Sequence, residues 1–207
     1  MDIPGTLLAV TIVAYWIGAG AMIVRVRRHA RRHEQRAAEV LPKQPLERVM
    51  GLVWVPLIAC WMVLPWLALS RSGLLFGLPE LVRTVPWYAA LRWVAALVAV
   101  ACFAATVKAW SRMGSNWRMA VTDEASQVLI TDGMFARIRH PIYAFSILLM
   151  ACTMIVVPTL PILALGVLHI GLMVLKARNE ERFLLARHGA AYADYVARTG
   201  RFVPRFR

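Results

Sequence analysis

Long stretches without a formal charge constrain the fold of this chain more than any other feature. Residues 3–24 and 49–70 contain no Asp, Glu, Lys or Arg, and residues 87–107 contain only Arg92. About 20 apolar residues in a helix cross the roughly 30 Å hydrocarbon core of a bilayer. Each of these three stretches is therefore predicted to be a transmembrane helix.

A fourth stretch, residues 142–175, has 34 residues without a formal charge, which is too long for one upright span. Pro158 and Pro161 at its middle disfavour a continuous helix. We predict two short helices that form a hairpin, followed by an amphipathic helix over residues 177–198. The expected fold is an all-α integral membrane protein with about five transmembrane helices, a C-terminal hairpin and a cytoplasmic C-terminal helix.

The basic residues are concentrated in three segments, and this distribution predicts a topology. Of the 24 Lys and Arg residues, eight lie in residues 25–48, five in 108–139 and eight in 176–207, whereas residues 71–85 hold two. Basic loops stay on the cytoplasmic side. We therefore expect an inner or plasma membrane protein with its N-terminus outside and its C-terminus in the cytoplasm.

The same distribution accounts for the net charge of +13, which we assign to topology and contact with anionic membrane lipids rather than to nucleic acid. Only Asp2 precedes the first apolar stretch, so that stretch is predicted to be a retained anchor and not a cleaved signal peptide. The three cysteines have no metal-ligand spacing, and no metal site is expected.

Two polar segments flank the predicted hairpin. RIRHPIY, residues 137–143, precedes it, and KARNEER, residues 176–182, follows it. Taken singly, the first is typical of a helix start and the second of a solvated helix end. A hairpin brings its two ends together, so both segments should meet at one membrane level. Ionisable clusters at such a position are candidates for functional sites.

The string LITDGMFARIRHPIY, then the hairpin, then RNEERFLLARHGAAYADYVARTGRFVP resembles the isoprenylcysteine carboxyl methyltransferase family, which is related to phospholipid methyltransferases. The resemblance covers roughly residues 111–206. It divides the chain into three N-terminal helices with a basic cytoplasmic loop, residues 1–110, and a catalytic region, residues 111–207. The positions that carry the family pattern are Leu129, Gly133, Phe135, Arg139, His140, Pro141, Tyr143, Glu180, Glu181, Leu184, Gly189, Tyr192, Tyr195 and Pro204.

The resemblance implies an enzyme that uses S-adenosylmethionine to methylate a lipophilic or prenylated substrate, most simply the carboxylate of an isoprenylcysteine-like molecule. This chain departs from the family pattern at Phe135, often Tyr, at Phe145, often Gly, and at Lys176, where Arg is expected. The cofactor-binding residues that it implies are Gln127, Val128, Leu129, Ile130, Phe135, His140, Pro141, Tyr143 and Glu180.

Four residues are candidates for handling the acceptor. A carboxylate is ionised near neutral pH and needs a cation, for which Lys176 and Arg178 have the right charge. An amine or thiol acceptor, including a phospholipid amine, would first have to lose a proton, with Glu181 or His140 as the general base. Two other functions stay open: an NADPH-dependent sterol-type reductase, and a non-enzymatic membrane scaffold.

Overall fold

The computed structural model describes residues 2–32, 45–71, 73, 75–114 and 129–205. Over these residues the regular secondary structure is helical, and irregular loops connect the helices. The loop before the fifth helix and the C-terminal tail also form an isolated parallel bridge, between Ile138 and Gly200. Its elements are α1 (Ile3–Arg32), α2 (Pro45–Ser70), α3 (Leu81–Thr84), α4 (Pro86–Met113), a 3-10 turn (Gly133–Ala136), α5 (Pro141–Val156), α6 (Leu160–His188) and α7 (Ala190–Arg198).

The predicted fold class is confirmed. Among the described residues α1, α2, α4 and α6 are long and apolar enough to cross a membrane, and α5 is a shorter apolar helix. Prolines mark where several helices begin, because their fixed φ angle suits the first turn and their missing N–H is not needed there. Pro86 begins α4 and Pro141 begins α5.

The hairpin forms where the two prolines predicted it, but its arms are unequal. α5 ends at Val156 and α6 begins at Leu160, with Pro161 in its first turn. The 16 residues of α5 span about 24 Å, whereas the 29 residues of α6 span about 43 Å. The prediction of two short helices is wrong for α6, which continues to His188 because nothing before Gly189 breaks its helical hydrogen bonding.

Side chains from the N-terminal half satisfy the end of the short helix α5. The last carbonyls of a helix have no partner within it, and leaving them bare inside an apolar bundle is costly. The Tyr88 hydroxyl donates to the Ile155 carbonyl at 2.7 Å, and Arg92 Nε donates to the Val156 carbonyl at 2.9 Å. Asp2 pairs with the Arg92 guanidinium at 2.6 Å. The single cation in the third apolar stretch is thus a cap for α5.

Small side chains let the central helices approach closely. Ala95, Ala96, Ala99 and Cys102 of α4 are buried in one apolar cluster with residues of α1 and α5. Small residues permit such close backbone contact where lipid supplies no hydrophobic drive for helix association. The packing fixes the hairpin against α1 and α4, and thereby fixes the position of the polar residues at its open end.

Candidate active site at the open end of the hairpin

The loop before α5 and the C-terminal tail pair through their backbones at this end. The Gly200 N–H donates to the Arg137 carbonyl at 3.0 Å, the Arg139 N–H to the Gly200 carbonyl at 2.8 Å, and the His140 N–H to the Arg201 carbonyl at 3.1 Å. A Cβ on Gly200 would lie 1.7 Å from the Val203 carbonyl oxygen, so only glycine fits. The tail therefore folds back onto the residues that lead into the hairpin.

The structure brings His140, Tyr143 and Glu180 together. His140 Nδ1 lies 3.4 Å from Glu180 Oε2, and His140 Nε2 lies 3.3 Å from Glu181 Oε1. The Tyr143 hydroxyl donates to Glu180 Oε1. The His140 and Tyr143 rings are stacked, with centroids 5.4 Å apart and planes within 7°. The end of α6 and the start of α5 thus form one cluster, as the two flanking segments predicted.

His140 is almost fully buried, with 7% of its surface exposed. Burial alone lowers the pKa of an imidazole, because it disfavours the charged form. Here the nearby carboxylates of Glu180 and Glu181 outweigh burial, and the pKa of His140 lies above its ordinary value. The protonated imidazolium is consequently stabilised between two carboxylates.

Glu181 binds the cations that hold the tail. Its carboxylate accepts from Arg139 Nε at 2.9 Å and from two nitrogens of Arg201, at 3.0 Å for Nε and 2.5 Å for Nη2. Arg139 also donates to the Thr199 and Val196 carbonyls. Through these bonds Glu181 connects α6 to the loop before α5 and to the tail. Acting as a general base would require breaking them.

Lys176 is buried one helical turn before Glu180. Its Nζ lies 3.9 Å from Glu180 Oε1 and 3.9 Å from Glu47 Oε1. Glu47 belongs to the first turn of α2 and is also bound by Asn179 Nδ2 at 3.2 Å. Sequence reasoning missed Glu47, since an acidic residue in the first turn of a helix is ordinarily a solvated one that offsets the helix dipole.

The structure does not bring Arg178 to this cluster, and its role beside the acceptor stays a prediction. Arg178 is exposed, while Lys176 and Glu180 are held together on the other side of α6. The reason is helical geometry: with 3.6 residues per turn, a residue two positions from both faces the opposite way.

The other predicted cofactor residues occupy varied positions. Phe135 is buried, and its carbonyl accepts from the Tyr195 hydroxyl at 2.6 Å. Pro141 is buried as the first residue of α5, and Leu129 and Ile130 are partly buried before the 3-10 turn. Gln127 and Val128 lie outside the described residues.

One buried polar atom near the cluster was not predicted. The Tyr192 hydroxyl has no hydrogen-bond partner among the described residues. Burial first, and then the nearby charge of Glu181, raises the pKa of Tyr192, so its hydroxyl keeps its proton and is available as a donor.

Comparison with known proteins gives one family match. Residues 94–186, just under half of the chain, match the model of the Isoprenylcysteine carboxyl methyltransferase (ICMT) family. The resemblance to the ICMT family is confirmed over this range. The family is one of methyltransferases, which supports an enzyme. No curated protein matches the chain.

The ICMT match contains part of the cluster and excludes the rest. His140, Tyr143, Lys176 and Glu180 lie within the matched residues. Outside them lie the tail with Arg201, and Glu47 of α2. The contacts of these outer residues are therefore known from the structure of this chain and not from the family match.

Proposed function

We propose that this protein transfers a methyl group from S-adenosylmethionine to the carboxylate of a lipophilic, isoprenylcysteine-like acceptor at the cytoplasmic membrane face. The observation that carries the proposal is the convergence of His140 and Glu180 at the polar end of an apolar hairpin, inside the range that matches the ICMT family. When bound, S-adenosylmethionine supplies a methyl group activated by the adjacent sulfonium.

The residues present suit the groups of this cofactor. Glu180 offers carboxylate oxygens to ribose hydroxyls or an ammonium, and His140 offers an N–H to a carboxylate. The buried Tyr192 hydroxyl lacks a partner among the described residues, and a polar ligand group would satisfy it. Aromatic stacking by Phe135 and Tyr143 fits a purine. By the resemblance, Gln127, Val128, Leu129, Ile130 and Pro141 complete the pocket.

Lys176 is assigned to the acceptor. A carboxylate acceptor is already ionised near neutral pH, since ordinary carboxyls titrate near about 4. It needs no general base, and the ammonium of Lys176 attracts and orients it. Alignment of the reacting groups alone lowers the activation free energy by several kcal/mol. The protein's contribution is therefore orientation and the exclusion of water by buried residues.

Charge and contacts support a position of the site at the cytoplasmic face. Asp2, Arg92 and Val156 meet at one end of the bundle, whereas Glu47, Lys176 and His140 belong to the other. The basic residues near the C-terminal ends of α1 and α4, such as Arg28 and Arg112, belong to the latter end, and the positive-inside rule favours the cytoplasm for such an end. Exposed apolar side chains of α2 and α6, among them Val55 and Val167, support an acceptor whose hydrocarbon chain stays within the bilayer.

Calorimetry of detergent-purified protein with S-adenosylhomocysteine and, separately, with NADPH tests the cofactor. We expect binding of the former alone, weakened at least about tenfold by Glu180→Gln or His140→Ala through loss of charge-assisted hydrogen bonds. Glu80→Gln makes the same change at an exposed carboxylate and should leave the affinity unchanged. Binding of NADPH alone would favour a reductase, and binding of neither would favour a scaffold.

A further inference from the structure

Glu47 is a buried carboxylate at the entrance of α2, on the part of the chain that precedes the ICMT match. Only 3% of its surface is exposed. Negative charge is favourable at a helix N-terminus, but that effect is available at the surface and does not require burial. A carboxylate removed from water is costly unless it is paired and hydrogen-bonded. Its position therefore depends on the groups that it meets on α6.

Those groups are Lys176 and Asn179, which are three residues apart and so lie on one face of α6. Asn179 Nδ2 donates to Glu47 Oε1 at 3.2 Å, and Lys176 Nζ lies 3.9 Å from the same oxygen. Lys176 Nζ also lies 3.9 Å from Glu180 Oε1. One ammonium thus lies between carboxylates from two helices.

The two carboxylates have different duties under the proposed function. Glu180 binds the cofactor under that proposal. Glu47 is fixed by α2 and Asn179. A lysine is a point charge on a flexible chain, whereas the guanidinium of an arginine orients a carboxylate by its own planar geometry. A lysine at this position needs an outside group to hold it.

We propose that Glu47 is a positioning residue that holds Lys176 beside the acceptor carboxylate, replacing the self-orienting geometry of an arginine. The inference rests on the proposed function, because it gives Lys176 the acceptor. It adds a residue from the N-terminal helices to the site. It also implies that Glu47 affects the use of the acceptor and not the binding of the cofactor.

The test is a double-mutant cycle of Glu47→Gln and Lys176→Arg, with N-acetyl-S-farnesylcysteine as acceptor. With Lys176 present, Glu47→Gln should lower kcat about tenfold through misplacement of the cation, with KM for S-adenosylmethionine within about twofold. In the Lys176→Arg background, Glu47→Gln should lower kcat less than about twofold, since the effects of substitutions at two residues in contact are not additive. Glu80→Gln should leave both constants unchanged.

Equal losses of kcat from Glu47→Gln in both backgrounds would overturn the proposal. A purely structural role of Glu47 does not depend on whether residue 176 is lysine or arginine. An unchanged kcat in Glu47→Gln, or an inactive Lys176→Arg, would also overturn it. Calorimetry with S-adenosylhomocysteine on every variant separates the two proposals. A wild-type protein that does not bind it refutes the proposed function, whereas a wild-type protein that binds it without methylating the probe refutes the acceptor and the role of Glu47 together.

Discussion

Removing the charge of Glu181 should release the C-terminal tail while leaving the membrane helices folded. Glu181→Gln keeps the shape of the side chain, but it replaces a carboxylate that accepts from Arg139 and Arg201. The side chains of Glu181 and Arg139 are 13% and 9% exposed, so their pair is mostly shielded from water, whereas Arg201 is 35% exposed. The two contacts must therefore be weighed differently.

Breaking a buried ion pair by removing one partner costs about 3–5 kcal/mol. The more exposed Arg201 pair contributes about 1 kcal/mol or less. The glutamine oxygen still accepts one hydrogen bond and recovers about 1 kcal/mol. The remaining cost is about 2–5 kcal/mol, which at about 1.4 kcal/mol per factor of ten raises the open fraction of the tail roughly 30- to 4,000-fold.

Hydrogen–deuterium exchange of the detergent-purified protein measures this opening. Amides of residues 190–205 should exchange faster by that factor in Glu181→Gln, while those within α4 keep their protection. Glu80→Gln, at an exposed position, is the matched control. Unchanged exchange in the tail would refute the reasoning. It would mean that the backbone bridge between Ile138 and Gly200 holds the tail without the carboxylate.

Two further outcomes follow from other buried charges. Arg92→Leu removes the donor to the Val156 carbonyl and leaves Asp2 without its ion-pair partner Arg92. It should lower the free energy of unfolding by about 2–4 kcal/mol, and therefore the unfolding midpoint by several degrees. An unchanged midpoint would show that α5 needs no such cap. The pKa of His140 is raised in the folded state, so its stabilising contribution is full below about pH 6.5 and is lost as the pH rises through the raised value. Unfolding midpoints of the wild type and His140→Gln should thus converge with rising pH, and a constant difference would contradict this sign.

Local signals explain what the sequence predicts correctly. A charge-free stretch needs only its own residues to be identified, and Pro158, Pro161 and Gly189 act on the backbone where they stand. Gly189 has a φ of 51°, a left-handed conformation that favours glycine, and it separates α6 from α7. The proximity of His140 and Glu180 could also be predicted from the sequence, because a hairpin brings its own ends together whatever their distance in the sequence.

Contacts between distant segments could not be predicted from the sequence in this way. Glu47 and Lys176 are separated by more than a hundred positions, and nothing in the residues around Glu47 distinguishes it from a solvated helix-start carboxylate. Arg92 was visible as an isolated cation in an apolar stretch, but its partner is a backbone carbonyl, which every residue possesses. Such contacts follow from the packing of whole helices and not from any local pattern.

These distant pairings change how the division of the chain near residue 110 should be understood. The N-terminal helices supply a cap for α5 through Arg92 at one end and a partner for Lys176 through Glu47 at the other. A hairpin of one 16-residue and one 29-residue helix therefore depends on α2 and α4 for the position of both its ends. The boundary near residue 110 stays a prediction, and the ICMT match does not coincide with it, since that match begins at residue 94 within α4 and ends at residue 186. Under the proposed role of Glu47, α2 contributes a residue to the site, and α4 supports the same hairpin by capping α5.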